Sequence, residues 1–104
     1  MAFPNVKTKP STGTVINRSG ATVTASNFGA QSVMPANPSR TYLVFQNISD
    51  TTMLINFGET AGPLDSISVA PNGSVTFNAG WVPSQEVFLR CTTNSKNFVA
   101  KEGI

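Results

Sequence analysis

No stretch of this chain can carry a long helix, and that limits its fold more than any other feature. The two longest stretches free of Gly and Pro, 39–57 and 84–102, are rich in β-branched and aromatic residues and are broken by polar turn residues, a composition that disfavours helix. From Thr14 onward there are instead nine short β-prone runs, at 14–18, 21–25, 31–34, 41–47, 51–57, 64–69, 74–78, 86–91 and 97–101, each bounded by turn-forming residues. That spacing predicts seven or eight strands in an all-β fold, a single antiparallel β-sandwich or jelly-roll-like domain over residues 14–104. Residues 1–13 contain Pro4, Pro10 and Gly13 and show no apolar period, so they read as an extended N-terminal arm.

The strongest pair of runs is 41–47 and 51–57, joined by Ile48, Ser49 and Asp50. Side chains alternate across a strand, so Met53, Ile55 and Phe57 share one face, and Leu43 and Phe45 do the same in the first run. Tyr42, Val44 and Leu54 then fall on the opposite face, which is covered either by the arm or by another chain. Runs 66–69 and 74–77 also alternate, and Ala70-Pro71-Asn72-Gly73 between them has strong turn chemistry. Pro71 fixes its own φ and Asn72 or Gly73 can accept a positive one, which predicts a hairpin.

Composition narrows the function. Only 12% of the 104 residues are charged, and there is no His and a single Cys. That charge share is about half the usual one, and Ser, Thr and Asn take its place. Without His there is no Ser-His-Asp triad, Cys-His dyad or His-ligated metal, and Cys91 alone makes no intrachain disulfide; it reads as a small core residue. No apolar run approaches the ~18 residues of a membrane span, and the N-terminus has no apolar leader segment. Net charge is +2, but residues 1–49 hold Lys7, Lys9, Arg18 and Arg40 with no acid. This thin basic arm is sparser than the dense patch that nucleic-acid binding requires.

Asp50, Glu59, Asp65, Glu86 and Glu102 are scattered over different segments, so neither a paired-carboxylate site nor a calcium loop is indicated. The loop 58–63 matches no phosphate-binding fingerprint. Arg40 precedes the strongest strand and is expected to pair with an acid such as Glu59 or Glu86. Trp81, between loop-forming neighbours, either caps the core or serves as an interface anchor or a sugar-stacking platform. The sequence predicts no catalytic residues, no cofactor and no metal.

The run Arg40-Thr41-Tyr42-Leu43-Val44-Phe45-Gln46-Asn47, then Ile55-Asn56-Phe57-Gly58, Ala70-Pro71-Asn72-Gly73 and the closing Val99-Ala100-Lys101-Glu102-Gly103 resemble small β-rich virion proteins of tailed bacteriophages. The resemblance covers most of residues 38–103 and leaves 1–37 unmatched. It implies a non-enzymatic capsid decoration (cement) protein on the head exterior, made in the host cytoplasm. Its partner would be the major capsid protein, and it would form a homo-oligomer, a trimer before a dimer, with no membrane and no specific nucleic acid involved. Gln46, Asn47 and Gly58 fall at motif positions and read as strand-end and turn determinants. Phe3, Lys7, Lys9, Arg18, Tyr42 and Trp81 are the candidate capsid or subunit contacts. The alternative is a receptor- or glycan-binding module of a tail fibre or other virion appendage, using Trp81 and loop Asn residues.

Overall fold

A computed structural model describes residues 13–23, 30–62, 64–78 and 80–104. Phe3, Lys7 and Lys9, and with them nearly all of the expected arm, lie outside the described residues. Each of the nine β-prone runs overlaps a strand, the run 21–25 at Ala21 alone: β1 Val15–Asn17, β2 Gly20–Ala21, β3 Gln31–Met34, β4 Tyr42–Asn47, β5 Met53–Phe57, β6 Ile67–Val69, β7 Ser74–Phe77, β8 Val87–Arg90 and β9 Asn97–Gly103. They form two antiparallel sheets packed as a β-sandwich. Sheet A has the order β1-β9-β4-β7 with β2 also on β9, and sheet B has the order β3-β8-β5-β6.

The register explains this order. Val15 faces Gly103, Gln31 faces Leu89, Leu43 faces Phe77 and Met53 faces Val69. Each of these pairs is centred at about residue 60, so the chain is one long antiparallel hairpin turning at the 58–66 loop. The hairpin is then rolled until β9 also pairs β4 and β8 also pairs β5. With β1 and β2 counted as one interrupted strand, this is a double-sheet jelly roll.

The roll overturns both local pairings read from the sequence. β4 and β5 are not neighbours, and β6 and β7 do not form a hairpin, since β4 and β7 belong to sheet A and β5 and β6 to sheet B. The turn itself is formed, with Gly73 N donating to Ala70 O at 2.8 Å and Asn72 at φ 63°, but it carries the chain across the sandwich. Alternation fixes which face of a strand is buried and leaves open which strand lies beside it. Tyr42 and Val44 therefore lie on the outer face of sheet A and Leu54 on the outer face of sheet B, instead of sharing one surface.

The inward residues are as the alternation predicts. Leu43 and Phe45 on β4, Met53 and Ile55 on β5, Val87 and Leu89 on β8, and Phe98 and Ala100 on β9 form one buried cluster with Met34, Val69 and Cys91. Phe45 and Phe98 stack at 5.3 Å between ring centroids at its centre. Phe57 points inward but sits at the rim, half-buried and edge-on to Phe77 at 5.5 Å.

Asn47 closes one end of the sandwich, and its buried amide joins the two sheets. Nδ2 donates to Thr51 O at 2.8 Å and to Val69 O at 3.0 Å, while Oδ1 accepts from Ser49 N at 3.0 Å and Ser49 Oγ at 2.7 Å. A buried amide with its donors and acceptor all occupied is held rigidly, because an unmade bond there costs more than the made bond contributes. Asn47 is thus a strand-end determinant, and Gly58, at φ 80° with its N–H on Glu86 O at 2.7 Å, is a turn determinant.

Phe45→Ala should destabilise the fold by about 3–5 kcal/mol, the range for buried Phe truncations. Phe57→Ala, at the rim, should cost about half as much. Urea unfolding of the two variants checks this, and an equal loss would place Phe57 in the centre of the core.

Candidate functional site

The opposite end of the sandwich is built around Glu102, whose side chain is wholly buried. It lies on β9 on the same face as Phe98 and Ala100, so the strand's alternation drives a carboxylate into the core. Three donors meet it there. Arg40 Nε donates to Oε1 at 2.9 Å, Asn37 Nδ2 to the same oxygen at 3.0 Å, and Arg18 Nε to Oε2 at 2.8 Å.

Arg40 is itself wholly buried at its side chain and links the sheets. Nη1 donates to Pro83 O and to Gln85 O at 3.0 Å, and Nη2 to Pro35 O at 2.8 Å. One guanidinium thus ties the end of sheet A to the segment after β3 and the segment before β8. The approach to it is prepared by a turn, Asn37-Pro38-Ser39-Arg40, in which Arg40 N donates to Asn37 O at 3.1 Å and Asn37 Oδ1 accepts from Ser39 N at 3.0 Å. The expected partner of Arg40, Glu59 or Glu86, is replaced by Glu102.

Burial is the largest influence on Glu102 and opposes its ionisation. The hydrogen bonds from Arg40, Asn37 and Arg18, together with the charge of Arg40, outweigh it and hold the carboxyl below the ordinary glutamate value. The exposed Asp50 carboxylate is also lowered, first by its bond from Lys96 Nζ at 2.7 Å. That pair sits at the surface and contributes little to stability. Among the described residues no group of three His, Cys, Asp or Glu gathers to hold a metal ion.

Among the described residues the buried Arg40, Asn47 and Glu102 side chains are committed to structure, and the outer faces of the sheets carry the remaining candidates. Cross-strand register places Tyr42, Gly103 and Val15 in one rung of the outer face of sheet A. Val44, Lys101, Asn17 and Thr76 form the next rung, followed by Gln46, Val99 and Ser74. A Cβ on Gly103 would lie 3.1 Å from Tyr42 Cβ, so glycine there lets Tyr42 pack down on the strand. Four apolar side chains share this face with neutral polar ones and a single charge, Lys101. The outer face of sheet B carries Leu54 and Phe88 beside Arg90 and Asn56.

The sequence-predicted contacts are thus dispersed. Arg18 is turned toward Glu102, Tyr42 belongs to the outer face of sheet A, and Trp81 is 63% exposed at the Arg40 end, edge-on to Phe77 at 5.6 Å. Sequence reasoning missed Glu102, Val15, Val99 and the nearly fully exposed Leu64. Glu102 carried a detectable signal, a charge in phase with the apolar residues of its own strand.

Comparisons of the chain with protein-family models, with curated proteins and with solved structures return no match.

Removing one member of a buried pair leaves the other charge without compensation, so Glu102→Gln should destabilise the fold by about 3–5 kcal/mol. The folded-state value of Glu102 lies below its unfolded one. Its stabilising contribution should therefore be complete above roughly pH 5 and be lost as pH falls toward the depressed value. Urea midpoints from pH 7 to pH 3 should fall steeply for the wild type and more shallowly for Glu102→Gln, and parallel curves would show that Glu102 is not the linked group.

Proposed function

We propose that this protein is a non-enzymatic structural protein of a tailed-bacteriophage virion, a decoration protein that binds the head exterior through the major capsid protein and stabilises the shell. The observation that carries the reading is the outer face of sheet A, where Val15, Tyr42, Val44 and Val99 are interspersed with Ser, Thr, Asn and Gln around one lysine. Such a face suits a wet, hydrogen-bonded contact, because few charges have to be stripped of water when it is covered. A component that binds only the assembled shell stabilises that shell by mass action.

Size bears on how the contact works. Four strands about 4.8 Å apart and about 17 Å long span on the order of 300 Å², well short of the ~800 Å² per partner of a stable pairwise interface. One such face binds weakly by itself, and linked copies on a repeating lattice compensate through avidity. The homo-oligomer, a trimer before a dimer, is supported by the resemblance to phage virion proteins alone. The jelly roll recurs in viral capsid domains and in lectins, which is an analogy of fold and assigns no site.

Val44→Glu and Val99→Glu place charge on this face without touching the core. Each should leave the urea midpoint nearly unchanged and weaken co-sedimentation with purified heads of the encoding phage by about tenfold or more, that is ~1.4 kcal/mol or more. Undiminished binding by both variants would remove sheet A from the contact.

A second reading, glycan binding by an appendage module, is favoured by one observation, the exposed Trp81 ring braced against Phe77. A glycan array with wild type and Trp81→Ala separates the two: decoration predicts no specific signal, and a Trp81-dependent signal would replace it with the glycan reading.

A further inference from the structure

A cleft of about 470 Å³ opens where β5 begins and β8 ends, beside the outward-facing Leu54 and Arg90 of sheet B. That volume falls within the usual range of ligand clefts, about 300–1,000 Å³. Asp50, Thr51, Thr52 and Thr92 share its lining with Leu54 and Arg90. Leu54 and Arg90 are direct cross-strand partners, so an apolar side chain and a guanidinium stand side by side.

Both walls of the cleft are fixed from within the sandwich. On the β5 side Thr51 O accepts from Asn47 Nδ2 at 2.8 Å and from Ser49 Oγ at 3.0 Å, and Thr51 N donates to Ser49 Oγ at 3.1 Å. On the β8 side the loop after Cys91 is held by the buried Thr22, whose Oγ1 donates to Thr93 O at 2.6 Å and accepts from Lys96 N at 3.0 Å. Lys96 Nζ then reaches across to Asp50 Oδ1 at 2.7 Å and joins the two walls. A site whose walls are already ordered loses little conformational freedom when it is filled.

The charges in the cleft do not cancel. Arg18 and Arg40 are bound to Glu102, and Lys96 neutralises Asp50, whereas the guanidinium of the half-buried Arg90 has no hydrogen bond or ion pair among the described residues. A cation partly removed from water without a protein anion has a desolvation cost that nothing offsets. One uncompensated positive charge suits a monoanion, and the planar fork of an arginine matches the two oxygens of a carboxylate. The cleft is also much larger than a carboxylate, so its Leu54 wall and the exposed hydroxyls of Thr52 and Thr92 remain to contact the chain that carries the anion.

We propose that this cleft binds an acidic side chain of an extended peptide segment in a partner protein, with the carboxylate on Arg90 and the flanking chain over Leu54, Thr52 and Thr92. The proposal rests on neither functional reading above, and its test uses a short peptide, without heads or glycans.

Amide NMR titration of the full-length protein with a blocked Gly-Glu-Gly tripeptide should move the resonances of Leu54, Arg90 and Thr92, and the Gly-Gln-Gly counterpart should bind about tenfold more weakly or less. Arg90→Gln should weaken the Glu peptide by a similar factor. Asp50→Asn, at an exposed residue whose pairing contributes little to stability, removes the acid from the cleft and releases Lys96, so it should tighten the Glu peptide about threefold or more. Equal binding of the Glu and Gln peptides, unchanged binding in Arg90→Gln, or unchanged or weaker binding in Asp50→Asn would each overturn the proposal. Acetate binding as tightly as the Glu peptide would also overturn it, by showing that the flanking chain makes no contact.

Discussion

The fold depends on one buried carboxylate being met by one buried guanidinium. Glu102 comes from the last strand, and Arg40 stands at the start of the strand beside it. The remaining hydrogen bonds of Arg40 go to the connections that leave β3 and enter β8. Taking two charges out of water costs several kcal/mol per ion, and the pair is tolerable only when nearly all of its donors and acceptors are satisfied. That requirement ties the end of the chain, the start of β4 and the ends of β3 and β8 in sheet B to one position. Lysine could not replace Arg40, because a single ammonium lacks the planar set of donors that reaches a carboxylate and three carbonyls together.

The other end of β4 solves the same problem without charge. Asn47 uses an amide to reach sheet B where Arg40 uses a guanidinium, and between them Leu43 and Phe45 supply only apolar contact. The spacing from Arg40 to Asn47 is therefore the length of strand needed to cross the core, with one polar joint at each end. Non-directional burial sets how much the sandwich is stabilised, and the two joints set which ends of the strands meet.

Much of the fold was legible because a half-buried strand writes its period into the sequence. Each of the nine β-prone runs overlaps a strand, and the inward residues of β4 and β5 follow from alternation alone. The pairing was not legible: each apparent hairpin at 41–57 and 66–77 crosses between sheets, since the same alternation serves both arrangements. The partner of Arg40 was missed for a related reason. Nothing local marks the acid, so Glu59 and Glu86 stand as examples of it, whereas Glu102 is 62 residues away and reaches Arg40 only through the rolling of the long hairpin. For the surfaces, Tyr42 could be picked out as an outward aromatic while Trp81 stands between a core cap and an exposed anchor, and the face formed by Tyr42, Val44, Val99 and Val15 joins segments from both ends of the sequence and exists only once β1, β9 and β4 are side by side.

The scarcity of charge also acquires a structural meaning, because part of the little there is lies inside. Arg18, Arg40 and Glu102 are committed to the joint, which leaves the outer faces of the described residues with few charges. A double-mutant cycle between Arg40→Met and Glu102→Leu tests the central claim most directly. If the two residues form one joint, each single change should cost about 3–5 kcal/mol and the double variant little more than either alone, since neither charge is then left unpaired. Costs that simply add would mean that the residues stabilise the fold independently, and the joint as described here would be wrong.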